Sequence, residues 1–134
     1  MAVKKIVLDT NAYVRFLTGD QNVLHFIIKS SITYMSIFVL GELYAGFKGG
    51  NNERENKDIL ERFLNKPSVR VLDATSETSE IFGQIKNNLK IAGTPIPIND
   101  VWIASHAIES GATILTYDGH FRKIAGIRLW DFIV

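Results

Sequence analysis

Cysteine is missing from all 134 residues. Its absence excludes disulfide scaffolds, thiol nucleophiles and every zinc site built on Cys, and it fits a reducing cytoplasm. Proline is scarce, with 3 residues, and glycine stands at 10, so collagen-like and low-complexity chains are excluded as well. No apolar run approaches the roughly 20 residues of a membrane-spanning helix, and no membrane partner is expected. The opening Met1-Ala-Val-Lys-Lys-Ile-Val-Leu-Asp9 places an acid where the apolar stretch of a secretory leader would have to continue, so a signal peptide is not expected. Charge of one sign is lacking too: 15 Lys and Arg against 14 Asp and Glu leave a formal net charge of +1. No global basic field advertises nucleic-acid binding. Such a ligand would need local Lys/Arg patches or bound cations.

What remains is the composition of a folded globular chain, 46% hydrophobic and 22% charged. The length fits a single domain over residues 1–134. Lys4 to Leu8 reads as a short buried strand that stops at Asp9. Asp9 or Thr10 can cap a short helix ending at Gly19, and Asp20 can cap a second through Ile28. Ile32 to Met35, Val69 to Leu72, Ala112 to Thr116 and Ile127 to Trp130 are further strand candidates. Apolar residues three or four apart predict helices over Ile37 to Phe47 and Glu53 to Asn65. A longer helix is expected from Thr75 to Ala92, closed by Gly93. Pro95 and Pro97 then stiffen an approach to Asn99, the expected cap of an apolar, buried helix over Val101 to Ile108. Strands alternating with helices imply an α/β fold with a parallel or mostly parallel sheet and helices on both faces. Ligands in such folds bind beyond the carboxyl ends of the strands.

Four acids fall near those ends. Asp9 follows the first strand, and Asp118 follows Ile114-Leu115-Thr116 with one residue between. Asp100 opens the buried helix, and Glu42 lies in the helix after the second strand. Taken singly, each has an ordinary structural role: N-cap, first-turn acid favoured by the helix dipole, turn former before Gly119, solvent-facing helical residue. Taken together they conflict. Two carboxylates ~5 Å apart at an effective dielectric near 20 repel by roughly 3 kcal/mol. Four in one pocket cannot all stay ionised without a cation. Oxygen ligands without Cys favour Mg²⁺ or Mn²⁺ over Zn²⁺, and such a site suits phosphodiester hydrolysis.

The blocks Val7-Leu8-Asp9-Thr10-Asn11-Ala12, Ser36 to Leu43, Pro95-Ile96-Pro97-Ile98-Asn99-Asp100-Val101-Trp102 and Leu115-Thr116-Tyr117-Asp118-Gly119-His120-Phe121 resemble a PIN-domain ribonuclease of the VapC toxin type. The resemblance runs from residue 3 to near the C-terminus, and the Asp100 and Asp118 blocks are its most specific parts. It implies a three-layer α/β/α PIN-like domain with a mostly parallel central sheet. It implies a catalytic set of Asp9, Glu42, Asp100 and Asp118, with Asp9, Asp100 and Asp118 as ligands of Mg²⁺ or Mn²⁺, and Thr10, Asn11 and Thr116 arranging them. It further implies RNA as substrate, a cognate antitoxin as inhibitory partner, and a homodimer.

Other residues were weighed on their own chemistry. Gly41 to Lys48 misses a phosphate-binding P-loop, because Phe47 separates Gly46 from Lys48 and Gly49 follows. His25 suits helix packing, and His106, six positions past Asp100, faces elsewhere on a helix of roughly 3.6 residues per turn. His120 is close enough to Asp118 to meet RNA or metal-bound water, though a plain turn role before Phe121 is the favoured reading. Arg15 and Lys86 are candidates for phosphate contact, set against solvated helix faces. Two other functions share parts of this pattern: a Mg²⁺-binding phosphoacceptor signalling domain, and a PIN-like RNA-binding module without a toxin role. The former normally shows a further acidic pair near the first strand, where this chain has Asp9 alone, and a Lys at a later strand end, where Lys123 falls in a turn region.

Overall fold

Ile6, Val7 and Leu8 are fully buried, which is possible only for a strand covered on both faces. They belong to β1 (Lys5–Leu8), the middle strand of five in the computed structural model, which describes residues 4–132. Residues 1–3 and 133–134, the two ends of the expected domain, lie outside that description. The chain continues through α1 (Thr10–Leu17), α2 (Gln21–Lys29), β2 (Ile32–Ser36), α3 (Ile37–Phe47), α4 (Glu53–Leu64) and β3 (Val69–Leu72). Then follow α5 (Ser76–Ala92), α6 (Ile98–Ser110), β4 (Thr113–Thr116), a 3₁₀ turn (Gly119–Lys123) and β5 (Leu129–Asp131).

The strand order is β3-β2-β1-β4-β5 and every pairing is parallel, so the expected mostly parallel sheet is wholly parallel among the described residues. Right-handed crossovers put α1 to α4 on one face and α5 and α6 on the other, giving three layers. From β1 the chain winds outward to β2 and β3, then returns across the sheet to β4. β1 and β4 are therefore neighbours from which the connections diverge, and a crevice opens above their carboxyl ends. Their register sets Leu8 opposite Leu115, so Asp9 leaves the sheet level with Thr116.

Local chemistry explains most element ends. Asp9 caps α1 by accepting from the Ala12 amide at 2.8 Å, and Asp20 caps α2 by accepting from Asn22 and Val23. Thr75 and Thr78 form a reciprocal capping box on α5, and Gly93 closes that helix at φ 69°, where an L side chain would be strained. One expected boundary is wrong. Asn99 does not cap α6: the helix begins at Ile98 with Pro97 as N-cap, and the Asp100 and Val101 amides bond the Pro97 carbonyl. Proline lacks an amide to lose there and its fixed φ suits a helix start, so the turn closes two residues earlier than side-chain capping suggests. Asp100 consequently sits inside the first turn. Lys123, expected in a turn, closes the 3₁₀ segment, and the last strand is shifted to Leu129–Asp131.

Leu60 and Phe63 of α4 are buried, with the Phe63 ring packed at a tilt against Tyr13 and Phe16 of α1, each at a ring separation of 5.4 Å. The outer depression on α4 is lined by Glu53, Arg54, Lys57, Asp58 and Glu61. Among the described residues no helix is long and apolar enough to cross a membrane.

Candidate active site

Asp9 lies at the floor of the crevice, 4% exposed. One oxygen caps α1; the other accepts a short hydrogen bond from the hydroxyl of Thr116, itself fully buried. The Thr116 oxygen also accepts from the Asp118 amide at 2.8 Å, so one hydroxyl joins the ends of β1 and β4 and turns the backbone into the Asp118 segment. Burial pushes the Asp9 carboxyl up to about 6; the Thr116 and Ala12 hydrogen bonds oppose the rise, and the charges of Asp100 and Asp118 add to it.

Asp100 approaches from the first turn of α6, half-buried. Burial raises its pKa, a hydrogen bond from His120 lowers it, and Asp118 and Glu42 push it up again. Glu42 enters from α3, where Thr10 of α1 donates to its carboxylate at 2.7 Å. Asp118 caps the 3₁₀ turn by accepting from the His120 amide at 2.9 Å. That turn swings the imidazole back over the acids: Nδ1 lies 2.9 Å from Asp100 and 3.1 Å from Asp118. Ionised carboxylates only accept, so Nδ1 carries the proton and shares it between them.

Ligand atoms of Asp100, Asp118 and His120 all lie within 4.8 Å of one another, close enough to share one cation. This is a good fit for a hard divalent ion, since two carboxylates and a third, desolvated one meet with a single imidazole N–H between them. Asp100 and Asp118 would hold it directly, His120 would join through Nδ1 once the cation displaced its proton, and Asp9 would supply negative charge from the floor.

The sequence-derived residues divide accordingly. Asp9, Glu42, Asp100 and Asp118 come together, and Thr10 and Thr116 bond two of them. Asn11 is exposed on α1 and makes no side-chain hydrogen bond to the acids among the described residues. Arg15 lies over the ring of Tyr117, its guanidinium carbon 4.2 Å from the centroid. Lys86 is apart from the acids: with Phe82, Leu89, Pro95 and Ile96 it lines a groove of about 500 Å³ that contains none of the four. His106 faces away as expected, bonded to Ser36 at 2.8 Å and to the Asp73 carbonyl at 3.0 Å. The plain turn role favoured for His120 was the weaker reading. Its place directly after Asp118-Gly119 is the signal that it would fold back.

A parallel sheet with acids gathered where β1 and β4 diverge is specific enough to compare with known proteins. The pattern of the PIN domain matches residues 6–127. The chain belongs to the PIN-domain family. Ribonuclease VapC2 of Rickettsia felis is 30% identical over 132 residues, 93% of this chain and 97% of the relative. The tRNA(fMet)-specific endonuclease VapC of Salmonella typhimurium is 29% identical over 131 residues, 96% and 98% of the two chains. The solved structure of DNA-bound VapBC from Salmonella typhimurium superposes with a TM-score of 0.84 at 28% identity, covering 97% of this PIN domain and 99% of that chain.

Proposed function

We propose that this PIN domain is a Mg²⁺- or Mn²⁺-dependent endoribonuclease, the toxin of a toxin–antitoxin pair. The observation that carries the reading is the convergence of Asp9, Glu42, Asp100 and Asp118 from four separate elements onto one crevice. The near-full-length likeness to VapC ribonucleases supports RNA as the substrate, and the VapBC complex supports a cognate antitoxin. The homodimer and the cytoplasmic setting belong to the same proposal.

Asp9, Asp100 and Asp118 are the charges that retain the cation, with His120 as a further donor. A bound divalent ion would polarise the scissile phosphate and acidify a water. Glu42, held through Thr10 at the side of the pocket, is the carboxylate placed to take a proton from an attacking water. Thr116 fixes Asp9 and the Asp118 backbone with one hydroxyl, which keeps the two strand-end acids at constant separation. Asn11 and Lys86 stand further out, where only an extended RNA strand would reach them.

The phosphoacceptor reading loses on residue placement. Asp9 stands alone where that class has an acidic pair, and Lys123 closes the 3₁₀ turn instead of standing at a strand end. Incubation of purified protein with single-stranded RNA, with Mn²⁺ and then with excess EDTA, tests the proposal. Cleavage is expected in the first tube alone, and cleavage that survives EDTA overturns the metal-dependent reading.

A further inference from the structure

An acidic pocket repels the polyanion it has to hold, so a nuclease of this kind needs cations fixed beside it. We infer that Arg15 is that fixed cation, that Tyr117 is the pedestal that positions it, and that its ligand is an RNA backbone phosphate flanking the scissile one. The inference rests on the nuclease reading above and deepens it.

Tyr117 lies between Thr116 and Asp118, so its backbone is part of the segment that delivers Asp118 to the crevice. Its ring is held on three sides. One side stacks on Phe132 at 4.8 Å and an interplanar angle of 29°; Arg15 covers the ring at 4.2 Å. The hydroxyl makes a short hydrogen bond to Asp20, with the Asn22 amide at 3.5 Å. The pedestal is thus anchored to the α1–α2 corner rather than free to rotate.

Asp20 is the acid nearest to hand for pairing with Arg15, and its oxygens are already committed. One accepts the Asn22 and Val23 amides of the α2 cap, and the other takes the Tyr117 hydroxyl. Arg15 makes no ion pair among the described residues. A guanidinium seated over an aromatic ring has no acceptor on that side for its five N–H groups and keeps donors for a ligand such as a pair of phosphate oxygens. A stacked Arg also loses less conformational freedom on binding than a free one. Tyr117 directly precedes Asp118 in the chain, so the stacked cation sits on the segment that leads into the acid cluster. A backbone phosphate of a strand already seated in the crevice is therefore the ligand it fits.

The test measures binding of a fluorescein-labelled 12-nucleotide single-stranded RNA of mixed sequence, by anisotropy across a salt series without divalent ions. Arg15→Gln is expected to weaken binding about tenfold and to flatten the slope of log affinity against log salt by about 0.7, the signature of one lost phosphate contact. Tyr117→Leu keeps the charge and removes the ring; it is expected to give most of the same loss, and the double variant to be no worse than Arg15→Gln. Tyr117→Phe retains the stack but releases one Asp20 oxygen, so it is expected to bind between wild type and Tyr117→Leu, which separates the ring from its hydroxyl anchor; thermal melts check that each variant is folded. Full binding by Tyr117→Leu overturns the pedestal, and an unchanged salt slope in Arg15→Gln overturns the phosphate contact. An unchanged slope together with lost co-purification of a co-expressed antitoxin assigns Arg15 to a protein interface and equally overturns the inference. A wild-type protein that cleaves RNA while Arg15→Gln binds normally removes this inference alone; a wild type that neither binds nor cleaves removes the nuclease reading.

Discussion

The outer face of α4 and the crevice above β1 and β4 both collect carboxylates, and they treat them in opposite ways. On α4, Glu53 lies 3.2 Å from both Lys48 and Lys57, and their hydrogen bonds hold its carboxyl below the usual range. In the crevice, Asp9 and Asp100 are raised, first by burial and further by neighbouring carboxylates, Asp100 and Asp118 on Asp9, Asp118 and Glu42 on Asp100. The α4 acids alternate with bases one helical turn away and stand in water, so their charge is cancelled where it arises. The crevice acids come from different elements, face one another and share a single imidazole N–H. Acid content therefore does not distinguish a site from a solvated surface. The sign of the nearest neighbours does.

This contrast can be broken experimentally, beginning with the crevice. Asp100→Asn removes a ligand charge and is expected to lower RNA cleavage by roughly 10²- to 10⁴-fold with the fold intact, read by single-turnover assays beside circular dichroism. Retained activity would mean that the cluster is not the catalytic one. Asp9→Asn keeps an oxygen for the α1 cap and removes a destabilised charge. The Asp9 carboxyl is raised from 3.8 to about 6, so the folded state binds the extra proton and metal-free wild type loses stability as pH rises through that window. The loss is on the order of 3 kcal/mol, and Asp9→Asn should abolish it, melting higher than wild type at pH 7.5 in EDTA and with little difference near pH 4. Added Mn²⁺ should narrow the gap at pH 7.5.

Thr116→Val should act more mildly. It removes the donor to Asp9 and the acceptor of the Asp118 amide, with an expected cost of about 2 kcal/mol in denaturant unfolding. Because the Thr116 bond holds the Asp9 pKa down, carboxyl NMR titration should find Asp9 higher still in the variant. Lys57→Ala on α4 is the control from the other region. Melting temperature and cleavage are both expected to stay at wild-type values, and a clear loss of either would show that α4 charge is not merely solvated.

The elements were legible because their signals are local. Asp20 before an apolar-periodic run, Thr75 before another, and Gly93 after it are short-range chemistry, and each element stands where that chemistry predicts. The start of α6 was misplaced because a proline N-cap leaves no side-chain signature, and the polar Asn99 competed for the role. The four acids were legible from their positions at strand and helix ends together with the family resemblance. Their convergence depends on β4 lying beside β1, which no short window of sequence encodes. The same holds for Tyr117, which looked like a spacer until Asp20, from 97 positions earlier, met its hydroxyl. Lys86 shows the converse: near in sequence to the Pro95 approach, it lines a groove separate from the four acids.

The seam between β1 and β4 also sets when the site can exist. The Thr116–Asp9 bond spans 107 positions, and Asp118 lies beyond it. A ribosome that has delivered β1, β2 and β3 has released Asp9 and Glu42 into a half-sheet whose central strand still has an open edge. Closing so long a loop is entropically costly and slow compared with local helix formation. The acids thus meet only after β4 has been made and has docked, so that a chain truncated before Thr113 carries three of the four acids but lacks Asp118 and the strand that seats them.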